Sequence, residues 1–216
     1  VTDLIVTMDG PAGTGKSTVS RAVAVRLGLP HLDTGAFYRA AGVAVLRAGV
    51  DLADVPGVAG AVTTITLDQT DGRMFLDGED VSDEIRTAEA TTASSRVSAY
   101  PEVRAILVGH QRSWVERHSN RAVVEGRDIG SVVFPDATLK IYLDARREVR
   151  ARRRANQTGE RYGVVLAEIE ARDHRDSTRE ASPLSVPEDA IVVDTSDMTF
   201  EAVVDRVVEL ADRVSG

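Results

Sequence analysis

The sequence predicts an α/β protein built on a doubly wound parallel sheet, and three observations carry that expectation. Short apolar runs alternate with stretches whose apolar residues recur at helical spacing. The run Leu4-Ile5-Val6-Thr7-Met8 leads straight into Gly10-Pro11-Ala12-Gly13-Thr14-Gly15-Lys16-Ser17, a glycine-rich turn that opens a helix. The five runs read as core strands all end in an acid, Asp9, Asp33, Glu125, Asp144 and Asp194. That carboxyl edge is where such sheets bind ligands.

Taken in order, Val19, Ala22, Val23 and Leu27 mark the inward face of the first helix, and Gly28 stops it. His31-Leu32-Asp33 reads as a short strand. A helix follows with Phe37, Ala40, Ala41, Ala44, Val45 and Ala48 on one face, ended by Gly49. From Asp51 the pattern changes: Thr63, Ile65 and Leu67 alternate, Thr70-Asp71-Gly72-Arg73 is a turn, and 74–78 is extended again, an inserted hairpin. Thr87 to Ala99 is helical, and Pro101 opens a helix with Val103, Ile106, Leu107, His110 and Trp114 on its stripe. His110 reads as a core or boundary residue rather than a ligand. Arg121–Glu125 and Leu139–Asp144 are apolar strands of the parallel-sheet kind. An arginine-rich helix (Arg146, Arg147, Arg150, Arg152, Arg153, Arg154) passes into a loop at Asn156–Gly159, and a further helix runs from about Gly163 to Glu180. The last strand is 190–194, and the last helix buries Phe200, Val203, Val204, Val207, Val208 and Ala211.

With 216 residues, 43% hydrophobic and 28% charged, the chain is globular and long enough for one domain with insertions or two small ones. The net charge of −8 and aromatic content of 4% weigh against a nucleic-acid polymer as principal partner. Zero cysteines exclude disulfides and thiolate chemistry. No apolar run approaches the length of a membrane span, so the expectation is a cytoplasmic protein, and no long apolar stripe asks for a dimer.

The glycine-rich turn fits the pattern Gly, four residues, Gly-Lys-Ser/Thr. Its amides can converge on an anion, the following helix adds its positive end, Lys16 reaches the β- and γ-phosphates, and the Ser17 hydroxyl binds Mg²⁺. Only two of the 26 basic residues are lysines, Lys16 and Lys140. Finding one of them in a tight phosphate cradle, which suits an ammonium better than a guanidinium, strengthens the reading of a nucleoside-triphosphate site. Among the strand-end acids, Asp33 is the first choice to hold Mg²⁺ through its waters and Asp144 the second.

Four further groupings bear on what the triphosphate is used for. In Asp33-Thr34-Gly35-Ala36-Phe37-Tyr38-Arg39, Arg39 either forks onto a second phosphate or is a surface arginine. Gly126-Arg127-Asp128 offers a phosphate fork and an acceptor for an amino or hydroxyl group, or a salt bridge closing a loop. Arg172, Asp176 and Arg179 share a helical stripe suited to a phosphate and a ribose, or to a solvated ladder. The arginines from Arg146 to Arg154 fit a mobile lid that places one or two guanidiniums on a transferring phosphoryl group, the rest being solvated. A guanine-reading Asn-Lys-x-Asp is absent from the sequence, which counts against a GTPase switch; another small-molecule phosphate-loop kinase remains the nearest rival.

Gly10–Thr18, Asp33–Arg39, Gly78-Glu79-Asp80-Val81 with Ile85-Arg86, Gly126-Arg127-Asp128-Ile129-Gly130 with Val133-Phe134-Pro135, and Arg172-Asp173 through Pro183-Leu184 together resemble bacterial cytidylate (CMP) kinases, members of the P-loop nucleoside monophosphate kinases. The match runs in order through nearly the whole chain. The resemblance implies a core (1–59, 93–146 and 179–216), a small inserted β-containing region that binds the nucleoside monophosphate (60–92), and a helical lid (147–178). It implies Mg²⁺-dependent transfer from ATP to CMP and dCMP; the expectation of a monomer rests on the missing apolar stripe alone. Gly10, Pro11, Ala12, Gly13, Thr14, Gly15, Lys16, Ser17 and Thr18 would hold ATP, with Asp194-Thr195-Ser196 beside its base and Ser17 and Asp33 at the metal. Thr34, Arg39, Arg127 and Arg179 would hold the acceptor phosphate. Ser95, next to Ser94, would read cytosine with Arg104 and Asp128, while Arg172 and Asp176 would meet the ribose. Lys16, Arg127 and Arg179, with Arg153 and Arg154 of the lid, would neutralise the transferring group.

Overall fold

The first apolar run becomes β1 (Leu4–Asp9), the middle strand of a five-stranded sheet. The structure, a computed structural model, describes residues 3–178 and 184–215. The chain divides into two compact units, 1–31 with 119–216, and 32–118. After β1 come α1 (Lys16–Leu27) and β2 (His31–Asp33). The second unit follows, with α2 (Thr34–Arg47), α3 (Val55–Thr63), the short strands β3 (Leu67–Thr70), β4 (Arg73–Leu76) and β5 (Glu79–Asp80), then α4 (Ala88–Val97) and α5 (Pro101–Arg117). The chain returns to the first unit with β6 (Arg121–Glu125), β7 (Leu139–Asp144), α6 (Arg147–Thr158), α7 (Tyr162–Thr178), β8 (Ile191–Asp194) and α8 (Phe200–Ser215).

The large sheet has the order β2-β6-β1-β7-β8, and β1 runs parallel to both β6 and β7, as β7 does to β8. Its strands are near-continuous apolar runs because helices cover both faces of such a sheet. Val6, Val123, Ile141 and Leu143 have no exposed surface, and they pack with Val19 and Val23 of α1 and Val203 and Val207 of α8. Each such side chain contributes about 1.5–3 kcal/mol by leaving water. A smaller cluster of Ala151, Val165 and Ile169 joins α6 to α7.

In the second unit β3, β4 and β5 form an antiparallel sheet joined by two Asp-Gly turns. Asp71 and Gly72 have φ of 51° and 74°, and Asp77 and Gly78 of 51° and 82°. Both central residues of each turn are left-handed, which matches the twist of a hairpin. Trp114 of α5 is buried and donates its indole N–H to the Gln69 carbonyl at 2.9 Å. Close approach of α2 and α4 requires Gly42, where a Cβ would stand 2.9 Å from the Ser94 amide nitrogen.

Several expectations are corrected. Thr63 ends α3 instead of starting a strand, because the Asp54 side chain caps Gly57 N–H and Pro56 occupies the first turn. Residues 156–158 are helical; α6 stops only where Gly159 adopts φ 74°. Phe200, expected inside, is 44% exposed, and Leu210 is buried on the inward face instead. His110 is half-buried, the boundary position expected of it. Among the described residues no helix is long and apolar enough to cross a membrane.

Candidate active site

The phosphate loop is shaped by its glycines. Gly10 has φ 140° and passes so close to β7 that a Cβ would lie 2.0 Å from the Leu143 carbonyl oxygen. Gly15 has φ 89° and caps α1, its carbonyl accepting from the Thr18 and Val19 amides at 3.1 and 3.0 Å. Lys16 folds back into the loop, its Nζ donating to the Gly10 and Pro11 carbonyls at 2.6 and 2.7 Å. Burial, and then the nearby Arg127 charge, hold its ammonium well below the usual lysine range. Arg127 Nη1 donates to the same Gly10 oxygen at 2.7 Å. Two cations thus share one neutral acceptor at a place built for an anion.

At the start of α1 the Ser17 hydroxyl donates to Glu125 Oε2 at 2.8 Å. His31 Nε2 lies 3.2 Å from Glu125 Oε1 and 2.8 Å from Ser20 Oγ. A hydroxyl beside a carboxylate is a donor set for a hard, oxygen-seeking cation. No cluster of three acidic, histidine or cysteine side chains suited to a metal occurs among the described residues. The Ser17–Glu125 pair fits Mg²⁺ by its donor chemistry, since that ion keeps most of its waters and takes phosphate oxygens. Asp33, the first metal choice from sequence, lies in the second unit, where it caps α2 through Ala36 N–H at 3.1 Å and accepts from Arg39 at 3.0 Å. Asp144 accepts from its neighbour Ala145 N–H at 2.8 Å.

Asp9, at the end of β1, is fully buried and accepts from the Ile129 and Gly130 amides at 2.8 and 2.7 Å. Burial outweighs those two bonds and pushes its carboxyl up to about 6. The turn it holds, 129–133, follows Arg127-Asp128, with Asp128 at its N-terminal cap position. Asp128 is buried, and Arg127 Nε lies 3.3 Å from Asp176 Oδ2 on α7. Arg172 is exposed, yet close enough that its charge also lowers the Lys16 ammonium.

The sequence reading gave no role to a second contact of the loop with the helix pair. Asp173 of α7 accepts from Ala12 N–H at 3.4 Å. Arg150 of α6 lies 2.7 Å from Asp173 and donates to the Ala12 carbonyl at 2.9 Å. Gly13 faces the same pair: a Cβ there would meet Arg150 Cβ at 3.2 Å and Ile169 Cδ1 at 3.3 Å. Arg153 turns elsewhere, donating to Thr195 Oγ1 at 2.9 Å and the Thr195 carbonyl at 2.6 Å, while Arg154 is exposed. Thr195 also donates to the Asp144 carbonyl, and Asp194 accepts from Ser196 N–H at 2.9 Å, which fixes the 194–196 loop.

In the second unit, Thr34 is buried, and Arg39 is held on Asp33 as noted above. Arg104 is buried with its guanidinium 5.5 Å above the Tyr38 ring, a cation–π contact. Of the two serines, Ser94 is half-buried and Ser95 exposed on α4. Arg179 lies outside the described residues.

Comparison with known proteins adds four findings. A family model described as cytidylate kinase matches residues 6–213. A cytidylate kinase of Mycobacterium leprae is 51% identical, covering 100% of this chain and 99% of its own. One from Nocardia farcinica is 52% identical over 95% and 92% of the two chains. A Thermus thermophilus structure aligns over 99% of this chain and 98% of its own, with TM-score 0.52 and 20% identity, a likeness of fold alone.

Proposed function

The chain belongs to the cytidylate kinase family, and from that premise we propose that it moves the γ-phosphoryl group of ATP to the 5′-phosphate of CMP, with dCMP as a second acceptor. The single observation that best supports a phosphoryl-transfer site is the convergence of Lys16 and Arg127 on the Gly10 carbonyl oxygen. Two mutually repelling cations at one point are relieved when a phosphate enters between them.

Transfer of a phosphoryl group asks little covalent chemistry of a protein, so positioning and charge neutralisation carry the catalysis. The backbone N–H groups of 10–18, all but the one Pro11 lacks, orient the donor with Lys16, and Asp194, Thr195 and Ser196 border its base. Ser17, with Glu125 and Asp33 as further oxygen donors, would hold Mg²⁺, which would supply positive charge to neutralise the phosphates. Thr34, Arg39, Arg127 and Arg179 bind the acceptor phosphate, which is already an ionised nucleophile and needs no general base. Arg104 and Asp128, with Ser95, read the cytosine edge, and Arg172 and Asp176 take the ribose hydroxyls. Region 60–92 binds the acceptor, and 147–178 acts as a lid bringing Arg153 and Arg154 toward the transferring group and excluding water.

A coupled ADP-release assay over a panel of nucleoside monophosphates tests the reading. CMP and then dCMP are expected to be the acceptors, and Arg104→Ala and Asp128→Ala are expected to raise KM for CMP far more than for ATP. Turnover of an alcohol acceptor with none of CMP overturns the substrate class. Equal effects of the two variants on both nucleotides overturn the base-reading roles.

A further inference from the structure

We infer that Asp9 is a positioning residue of the transfer site: from inside the sheet it fixes the turn that carries Arg127 and Asp128 against the strand entering the phosphate loop. The inference rests on the roles proposed above for those two residues.

Asp9 has no exposed surface, so it cannot itself meet a nucleotide. Its two carboxylate oxygens accept from the consecutive amides of Ile129 and Gly130 at 2.8 and 2.7 Å. These amides open the 129–133 turn and have no partner within it. Asp128 stands at the position where a side chain would ordinarily cap them, yet its side chain makes no capping bond. Asp9 performs that capping from a neighbouring strand.

The residues flanking Asp9 act in the same direction. The Met8 carbonyl accepts from Gly126 N–H at 3.0 Å, and the Gly10 carbonyl accepts from Arg127 Nη1 at 2.7 Å. Three consecutive residues, 8 to 10, therefore hold the segment 126–130. The seat has no spare room, because a Cβ on Gly130 would lie 2.9 Å from Thr7 Oγ1 and 3.2 Å from Lys140 Cγ and Cδ. Any loss of this grip moves Arg127 and Asp128 relative to the phosphate loop, and so disturbs the alignment of acceptor and donor.

The test compares Asp9→Asn, Gly130→Ala and Arg127→Ala by KM for CMP and, separately, by Kd for ADP in the absence of CMP. Asparagine keeps the shape of Asp9 but turns an NH₂ donor toward one of the two amides. Gly130→Ala lifts the turn from its seat while leaving Asp9 intact, and it decides the matter if Asp9→Asn does not fold. Both variants are expected to raise KM for CMP about tenfold, with a change in the ADP Kd below about threefold. If Arg127→Ala raises KM for CMP and the other two do not, or if they weaken both nucleotides equally, the role of Asp9 is wrong. If Arg127→Ala itself leaves KM for CMP unchanged, the acceptor-site reading fails first.

Discussion

Replacing Asp173 by Asn should tighten nucleotide binding. In the structure Asp173 Oδ1 lies 3.4 Å from Ala12 N, one of the amides a triphosphate would use. Arg150 braces the carboxylate, 2.7 Å away, and ties it to the loop through the Ala12 carbonyl at 2.9 Å. An incoming phosphate must therefore displace an internal anion. Asparagine keeps the volume and removes the charge that makes the carboxylate a rival. The Ala12 bond is long and the Asp173 side chain is 21% exposed. Its worth is thus taken at the low end for a charge-assisted hydrogen bond, about 1.5 kcal/mol. That corresponds to a Kd about tenfold lower for Mg·ADP in Asp173→Asn. Calorimetric titration of both proteins at one ionic strength measures it. Unchanged or weaker binding in the variant would show that the carboxylate does not compete with phosphate.

Lys16→Met should lower kcat about a thousandfold, as loss of a main charge-stabilising donor does. Because burial holds the Lys16 ammonium below its usual range, the variant should also melt no lower than the wild type, and a clear drop in melting temperature would refute the burial argument. The carboxyl of Asp9, raised to about 6 from an ordinary 3.8, binds protons more tightly folded than unfolded. Its ionisation therefore costs stability, absent below pH 3.8 and fully felt above pH 6. Relative to Asp9→Asn, the wild type should lose about 3 kcal/mol across that window, seen as a slope in urea midpoints against pH. Gly42→Ala places a Cβ 2.9 Å from the Ser94 amide nitrogen and 3.0 Å from Ala93 Cβ. Urea denaturation should show a cost of about 1–3 kcal/mol, and an unchanged midpoint would mean that α2 and α4 have slack.

The parts of this molecule that a reader of the sequence recovers are those fixed by neighbours in the chain. The phosphate loop, the Asp-Gly turn at 71–72, the Gly28 stop and the Pro101 start each depend on residues a few positions apart. Helix α3 escaped because Val55–Thr63 carries two glycines and no polar face, although Asp54 and Pro56 were a legible start signal. Gly159 was the corresponding stop signal for α6. The site divides along the same line. Lys16 and Ser17 announce themselves by spacing, but the carboxylate that receives the Ser17 hydroxyl is Glu125, 108 residues away. Asp9 meets its amides across a separation of 120 and 121 residues, and Arg150 meets Asp173 only because α6 folds back on α7. Partners of that kind are products of the sheet order, and no local pattern records them.

The chain draws nearly all its positive charge from arginine, and both of its lysines, Lys16 and Lys140, are largely buried. Lys140 is pinned by Asp189 at 2.7 Å, which leaves the amine in the phosphate loop as the side chain whose reactivity should follow occupancy. Acylation located at Lys16 by peptide mapping would then act as a gauge of the donor pocket, gained when the loop is empty and withheld when a nucleotide covers it. The guanidinium surface would pass through the labelling unaltered.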